Sequence, residues 1–178
     1  MQAFDSLSRD IQQYIYDKGW PSLTSIQNAA IKQVANTDHN LILSAPTASG
    51  KTEAAFIPAL NSVEDWETGL KVLYISPLKA LINDQFQRIS ELSEYLDIPI
   101  TRWHGEVSQA QKRKVVNQPK GVLLITPESI EGMLVNRPGE AEHLFKGVEW
   151  IIIDELHSFL GTERGIHLQS LLQRISRF

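Results

Sequence analysis

The chain has 178 residues, 42% of them apolar and 21% charged, and its formal net charge of −4 excludes a global positive field that would attract nucleic acid. It contains no cysteine, which excludes disulfides and cysteine-rich zinc sites. The N-terminus lacks the features of a signal peptide and no apolar run approaches the length of a membrane span, so we expect a cytoplasmic protein.

Two helices are predicted first, over Ser8–Lys18, which ends at Gly19, and over Ser25–Ala35. From about residue 40 onward, apolar β-branched runs alternate with helical segments, which predicts βαβ units in a mostly parallel α/β sheet with helices on both faces. No linker or repeat interrupts the chain, so we expect one domain, 1–178, with residues 1–38 as a helical N-terminal region. The predicted strands are Leu41–Ser44, Val72–Ser76, Ile98–Arg102, Val122–Thr126 and Val148–Ile153, and the helices between them include Lys79–Tyr95, Ser108–Asn117 and Pro127–Val135.

The segment Ala45–Thr52 lies between the first predicted strand and the helical stretch Glu53–Ile57. A Gly-Lys-Thr tripeptide alone is common, but strand, turn and helix together are the context that a phosphate-binding loop needs. Backbone N–H groups and the dipole at the helix N-terminus favour an anion there. Lys51 would reach the β- and γ-phosphates of a nucleotide, and the Thr52 hydroxyl would ligate Mg²⁺.

Two later strands end in a hydroxyl residue followed by proline, at Ser76-Pro77 and Thr126-Pro127. We expect each hydroxyl residue to cap a helix whose first residue is the proline. The two helix N-termini would then lie at one edge of the sheet and bind a phosphodiester backbone, with the charge of Lys79 beside the first of them. A purely structural interpretation, in which Ser/Thr-Pro simply begins a helix, remains open.

The segment Trp150–His157 is an apolar strand that ends in two adjacent carboxylates. Asp154 would hold Mg²⁺, and Glu155 would activate the attacking water of a phosphoryl transfer. Ligands of α/β sheets bind at the carboxyl ends of strands, so we expect this motif and the Lys51 loop to face the same edge. The alternative is a surface Asp-Glu pair that only caps the next helix.

From about Phe4 to the C-terminus, the chain resembles the first RecA-like domain of a superfamily 2 helicase. Ala45–Thr52 resembles motif I, which commonly begins with alanine, and Asp154–His157 resembles motif II, the DExH box. Ala48 replaces the usual glycine and predicts a loop without positive φ at that residue. The resemblance implies catalytic roles for Lys51, Asp154, Glu155 and His157, metal contacts from Thr52 and Asp154, and an ATP site that includes Ala45, Thr47, Ser49, Gly50, Lys51 and Thr52.

Further segments resemble the nucleic-acid and adenine motifs of these helicases. Gly19–Gln27 is similar to the Q motif, which implies that Gln27 reads the adenine edge and that Phe4 lies near the base. Segments Ser76–Leu81 and Thr126–Ser129 resemble motifs Ia and Ib, whose family role is backbone contact. The implied nucleic-acid residues are Ser76, Pro77, Lys79, His104, Gly105, Thr126, Pro127, Glu128 and Ser129.

The finer pattern of Ser76–Leu81, Trp103–Glu106 and Asp154–His167 resembles the Lhr-like (large helicase-related) DExH branch, within or near the Ski-type helicases. Arg164 and His167 match a family pattern after motif II, and helix capping and packing explain them equally well. Aspartate is frequent in the family where this chain has Glu106.

The expected function is ATP-driven translocation along DNA or RNA, with unwinding. A duplex translocase that does not separate strands, and a non-catalytic nucleic-acid-binding module, are the alternatives.

Motifs III to VI do not occur, so the resemblance implies a second RecA-like domain in a longer polypeptide. An arginine from another element contributes about 10³–10⁵ in phosphoryl-transfer rate. We therefore expect residues 1–178 alone to bind nucleotide weakly and to hydrolyse almost none.

Overall fold

The computed structural model describes residues 3–46 and 48–178, which divide into two compact units, the first ending at Glu64 and the second spanning Asp65–Phe178. Two short 3-10 helices span Phe4–Ser6 and Leu156–Ser158. No helix in the described ranges is long and apolar enough to cross a membrane. The helices are α1 (Arg9–Asp17), α2 (Ser25–Asn36), α3 (Lys51–Ser62), α4 (Lys79–Tyr95), α5 (Gln109–Asn117), α6 (Pro127–Asn136), α7 (Pro138–Phe145) and α8 (Glu163–Ile175), and the strands are β1 (Gly69–Ile75), β2 (Ile100–Trp103), β3 (Lys120–Ile125) and β4 (Trp150–Ile153).

The first unit contains α1, α2 and α3. Ser8 caps α1, since its Oγ accepts a hydrogen bond from the Ile11 amide at 3.4 Å. Thr24 and Gln27 form a reciprocal capping box at the start of α2, each side chain bonding the other residue's backbone amide. Such a box satisfies two of the amides that a helix N-terminus leaves free. Both predicted N-terminal helices are therefore confirmed to within one or two residues.

The prediction of a strand over Leu41–Ser44 is wrong, because these four residues have no regular secondary structure. A strand exists only where a neighbouring strand completes its hydrogen-bond ladder. The described residues of the first unit offer no such neighbour. Ile42 is 81% exposed, so this apolar run is not buried on both faces as the pattern had indicated.

The second unit is built on a parallel sheet with the strand order β2-β3-β1-β4. β1 occupies an interior position, paired with β3 from Gly69 to Ile75 and with β4 from Val72 to Ile75. All four predicted strands of this unit are present, with ends shifted by at most three residues. Because every strand runs in the same direction, the four carboxyl ends meet at one edge of the sheet.

Both faces of the sheet are buried along its interior strands, β1 and β3. Leu73 and Ile75 of β1 pack, together with residues of β3, against the apolar sides of α6, α7 and α8. Val72 and Tyr74, which point to the other face, are also at most 3% exposed. α4 lies outside the first cluster and contacts β2 and β3. Burial on two faces explains the near-continuous apolar runs in the sequence.

Candidate functional site

The phosphate-binding loop enters α3 through Gly50, which has φ +85° and occupies the N-cap position. The backbone angle favours glycine, and a Cβ atom at Gly50 would lie 2.5 Å from Gln27 Nε2 and displace that amide group. Lys51 and Thr52 lie in the first turn of the helix, so α3 begins two residues before the predicted helical stretch Glu53–Ile57. The dipole at the N-terminus of α3 favours an anion at this position.

The Lys51 side chain folds back over its own loop. Its Nζ donates a hydrogen bond to the Ala45 carbonyl oxygen at 2.7 Å, in an exposed environment. An exposed hydrogen bond exchanges with water or another acceptor at little net cost. The ammonium group can therefore turn from the Ala45 carbonyl to a phosphate oxygen without disrupting the fold.

The prediction that Ala48 avoids positive φ is wrong, because Ala48 has φ +60°. The left-handed region costs a residue with a Cβ about 1–2 kcal/mol, so the loop keeps its turn at the expense of local strain. Ser49 Oγ is buried and has no hydrogen-bond partner among the described residues. Thr47, another predicted ATP-binding residue, lies outside the described residues.

Replacing Ala48 with glycine should stabilise the chain. Glycine adopts φ +60° without strain, and part of that gain is offset by the greater freedom of the unfolded chain. We expect the free energy of unfolding to rise by up to about 1 kcal/mol in urea titrations.

Ala29→Gly is the matched control, because Ala29 is exposed in the interior of α2. There the same change should lower the free energy of unfolding by about 1 kcal/mol. A destabilising Ala48→Gly change would contradict the strain assigned to Ala48.

The predicted adenine residues lie in the first unit. Gln27 is 4% exposed, its Oε1 accepts from the Thr24 amide at 2.9 Å, and its Nε2 donates to the Gly50 carbonyl at 3.5 Å. The amide thus ties α2 to the phosphate-binding loop. Phe4 is half-buried in the first 3-10 helix, and its carbonyl accepts from Gln12 Nε2 at 2.9 Å. Adenine contact by Gln27 or Phe4 stays a prediction.

The prediction that Ser76 caps a helix beginning at Pro77 is wrong. The Ser76 amide donates to the Ile125 carbonyl at 3.1 Å, so its backbone continues the β1–β3 ladder instead of turning into a helix. The Ser76 side chain is fully buried, and its Oγ has no partner among the described residues. Leu78 is extended and 57% exposed, and α4 begins only at Lys79. The loop after β1 therefore presents Leu78 and Lys79 to the outside.

The corresponding prediction at Thr126 is confirmed. Pro127 is the first residue of α6, and Thr126 Oγ1 accepts from the Ser129 amide at 3.3 Å and lies 2.9 Å from Ser129 Oγ. The Thr126 hydroxyl is therefore used in capping α6. The Glu128 carboxylate points to another partner, Arg164, whose Nη2 lies 2.8 Å from its Oε1.

The turn after β2 closes against α4. Lys79, predicted to bind nucleic acid, forms an ion pair with Glu106. Gly105 is exposed in the same turn, whereas His104 is 6% exposed. His104 Nε2 lies 3.3 Å from Asn83 Oδ1, and its Nδ1 accepts from the Glu106 amide at 3.4 Å. A neutral ring protonated on Nε2 satisfies both contacts, so the structure uses His104 to join the turn to α4.

His104 should make stability depend on pH. Burial, and to a smaller extent the charge of Arg102, lowers the pKa of His104 below its ordinary 6.5. The unfolded chain therefore binds a proton more readily, and the free energy of unfolding should fall as the pH drops below about 6.5.

An NMR titration should find the His104 pKa lower in the folded chain than in urea. His104→Gln, which keeps an amide donor, should remove this contribution to the pH dependence. An equal or higher pKa in the folded chain would contradict the buried neutral ring.

Motif II follows β4 at the same sheet edge. The Asp154 amide donates to the Ile75 carbonyl at 2.9 Å, and Asp154 Oδ1 accepts from the Glu155 amide at 3.0 Å. Asp154 Oδ2 is buried without a partner of hydrogen-bond geometry among the described residues. Tyr74 lies close by, and burial together with the Asp154 charge raises the pKa of its phenol.

Glu155 adopts a left-handed conformation with φ +49°, and its Oε2 lies 3.3 Å from His157 Nδ1. The helix that follows is a single 3-10 turn, and neither carboxylate caps it through a side-chain hydrogen bond among the described residues. The helix-cap alternative for this acid pair therefore has no structural support. A strained residue held at a strand end is typical of functional turns.

In the second unit, the structure thus brings four predicted segments to one sheet edge: His104-Gly105, Ser76–Lys79, Thr126–Ser129 and Asp154–His157. Sequence reasoning missed Tyr74 and Asn83, which contact Asp154 and His104, respectively. Both are ordinary members of a strand or a helix, and no local pattern distinguishes them from core or surface residues.

Comparison with known proteins decides the family. Residues 24–177 match the DEAD/DEAH box helicase family. The chain belongs to this family. The chain is 29% identical to the ATP-dependent helicase Lhr-Core of Methanocaldococcus jannaschii over 99% of its length, and 35% identical to the Lhr helicase/uracil glycosylase of Escherichia coli over 85%. A solved structure of Mycobacterium smegmatis helicase Lhr bound to ssDNA and AMP-PNP matches 99% of the chain with a TM-score of 0.86 and 28% identity.

These matches confirm the predicted RecA-like α/β fold and the resemblance to Lhr-type helicases. The chain spans 22% of the Methanocaldococcus relative, 11% of the Escherichia relative and 24% of the solved Lhr chain. The DEAD/DEAH box domain thus accounts for a quarter or less of these relatives.

Proposed function

We propose that this DEAD/DEAH box domain couples ATP hydrolysis to movement along nucleic acid, with strand separation, in the complete protein. The observation that carries the proposal is the set of four motif-bearing strand ends at one edge of the second unit. Adjacent strands β1 and β4 end in the motif Ia and motif II segments, and β3, on the other side of β1, ends in motif Ib. Neighbouring strands thus carry one motif for hydrolysis and two for backbone binding. This arrangement suits an enzyme in which ATP hydrolysis and nucleic-acid binding affect each other.

Each ATP-site residue has a role that follows from its chemistry. Lys51 binds the β- and γ-phosphates, helped by the dipole at the N-terminus of α3, and Thr52 supplies a hydroxyl oxygen. Glu155 accepts a proton from the attacking water. His157, 3.3 Å from the Glu155 carboxylate, orients that base and links it to neighbouring motifs. The charge that develops on the transferred phosphoryl group requires an arginine from a second RecA-like domain.

Magnesium fits the donors that this chain offers. Magnesium prefers oxygen ligands and usually takes one or two carboxylates, with nucleotide phosphates and water completing its shell. Asp154 offers a buried carboxylate oxygen beside Tyr74, and Thr52 would add a hydroxyl. The described ranges contain no cluster of three or more His, Cys, Asp or Glu ligands. An ion that binds together with the nucleotide therefore suits the site better than one held by protein ligands alone. When bound, the ion would neutralise phosphate charge.

The nucleic-acid surface of the proposal comprises the loops after β1, β2 and β3. The Glu128 amide in the first turn of α6 and the Lys79 ammonium would contact phosphates, and such contacts are independent of sequence and sensitive to salt. Lys79 must leave Glu106 to bind a phosphate. Both side chains of this ion pair are more than half exposed, so the exchange costs little.

The test is ATP-dependent strand displacement by the complete protein on partial DNA and RNA duplexes, with triplex displacement measured in parallel. We expect displacement of a duplex strand that requires ATP and declines with added salt. Triplex displacement without duplex separation would instead identify a double-strand translocase. Nucleic-acid binding without any ATP turnover would identify a non-catalytic module and overturn the proposal.

A further inference from the structure

One guanidinium group, that of Arg164, bridges two of the loops at the sheet edge. Its Nη2 donates to the Pro77 carbonyl oxygen at 2.8 Å and to Glu128 Oε1 at 2.8 Å. Pro77 follows β1, and Glu128 lies in the first turn of α6 after β3. Arg164 itself belongs to α8, which follows motif II. A single side chain on the motif II segment therefore contacts both proposed backbone-binding loops.

Arg164 is held firmly relative to motif II. A Cβ at the neighbouring Gly165 would lie 2.0 Å from the Phe159 carbonyl oxygen, so α8 approaches this carbonyl as closely as only glycine permits. Thr162 Oγ1 donates to the same carbonyl at 2.9 Å and accepts from the Gly165 amide at 3.2 Å. The Arg164 guanidinium stands 5.5 Å from the centre of the Phe159 ring. A displacement of the 3-10 turn at Leu156–Ser158 would thus be carried to Arg164.

Charge explains why Arg164 is needed at this position. A carboxylate at residue 128 would repel the phosphates that the start of α6 is proposed to bind, unless a cation neutralises it. Arg164 supplies that cation and turns the carboxylate toward α8. The two side chains are 42% and 59% exposed. An ion pair of this exposure adds little to stability, so its removal should leave the fold intact.

We propose that Arg164 is a positioning residue that couples motif II to the motif Ia and motif Ib loops, so that nucleic-acid binding at those loops accelerates ATP hydrolysis. The inference rests on the proposed function. Arg164 touches neither nucleotide nor nucleic acid in this scheme. Arg164 holds the Pro77 carbonyl and the Glu128 carboxylate in one arrangement, and this arrangement favours nucleic-acid binding. Because Arg164 is fixed to the motif II segment, the arrangement persists only while motif II keeps its position. Coupling between two binding sites typically changes an affinity by about 5–150-fold.

The test measures ATP turnover by the complete protein with and without single-stranded DNA and RNA oligonucleotides. For Arg164→Gln we expect basal turnover and the KM for ATP to stay within about twofold of wild type. The nucleic-acid concentration for half-maximal stimulation should rise about 10-fold. A role confined to stability would alter basal and stimulated turnover together and would lower the melting temperature.

Conservative variants separate geometry from charge. Arg164→Lys keeps the charge but loses the rigid planar group that directs Nη2 at both acceptors, so it should remain defective. Glu128→Gln keeps an oxygen that can accept from Arg164 and should retain most of the stimulation, whereas Glu128→Ala should reproduce the loss. Arg113→Gln is the charge-matched control, because Arg113 is exposed and its Nε donates to the Gln109 carbonyl of its own helix.

Two results would overturn the inference in distinguishable ways. Wild-type stimulation that persists unchanged in Arg164→Gln, at the same half-maximal nucleic-acid concentration, refutes the coupling and leaves the proposed function standing. A wild-type protein whose ATP turnover does not respond to any nucleic acid overturns the proposed function and the coupling with it.

Discussion

Glu155→Gln should stop ATP turnover in the complete protein while nucleotide binding persists. Glutamine has the shape of glutamate but cannot take a proton from water, and losing a general base typically costs about 10²–10⁴ in rate. The left-handed backbone at Glu155, φ +49°, holds this side chain at the turn after β4. We expect calorimetry to return a wild-type affinity for a nonhydrolysable ATP analogue. Nucleic-acid-stimulated turnover should fall to near background.

Glu94→Gln provides the matched control for this change. Glu94 is exposed near the end of α4, so the same substitution there should leave turnover unaffected. Normal ATP hydrolysis by Glu155→Gln would show that another group activates the water. Loss of nucleotide binding in the same variant would instead show that the glutamate holds the ligand.

Lys51→Ala should abolish measurable nucleotide binding. The ammonium group is the charged donor at the start of α3, and hydrogen bonds to charged groups contribute about 1.5–3 kcal/mol each, or roughly 10–150-fold in affinity. In this structure it donates to the Ala45 carbonyl in an exposed hydrogen bond, which adds little to stability, so the variant should fold normally. Calorimetry with ATP and Mg²⁺ should therefore give no detectable heat, with an unchanged melting temperature.

Lys32→Ala, on the exposed side of α2, is the control, since it removes the same charge from the first unit without touching the loop. Wild-type affinity in Lys51→Ala would contradict the phosphate-binding role of this loop. Repeating the titration without Mg²⁺ separates the contribution of the metal from that of the lysine.

Predictions that depend on local chemistry were accurate. The bounds of α4, Lys79–Tyr95, and the Thr126 cap with Pro127 as first residue agree with the structure. Caps, turns and helical periodicity involve residues within a few positions of one another, so the sequence carries them directly. The Gly50-Lys51 entry into α3 follows the same rule, because its geometry depends on one backbone angle and the helix that begins there.

Predictions that depend on distant partners failed or were incomplete. Ser76 has the same local sequence signal as Thr126, yet its amide bonds the Ile125 carbonyl and the helix begins three residues later. Leu41–Ser44 has a strand-like composition, but a strand also needs a paired neighbour. Ala48 takes the positive φ that its side chain disfavours, because the loop geometry outweighs a strain of about 1–2 kcal/mol.

The sequence by itself determined the family, the parallel α/β class and the chemical identity of the motifs, because each motif is a short run whose residues act together. Tertiary structure alone decided the strand order β2-β3-β1-β4 and, with it, which motifs of the second unit are neighbours. It also decided that Arg164 serves Pro77 and Glu128, which are 87 and 36 residues away along the chain. Contacts at such separations arise from the packing of whole helices and strands, and no local pattern of residues encodes them.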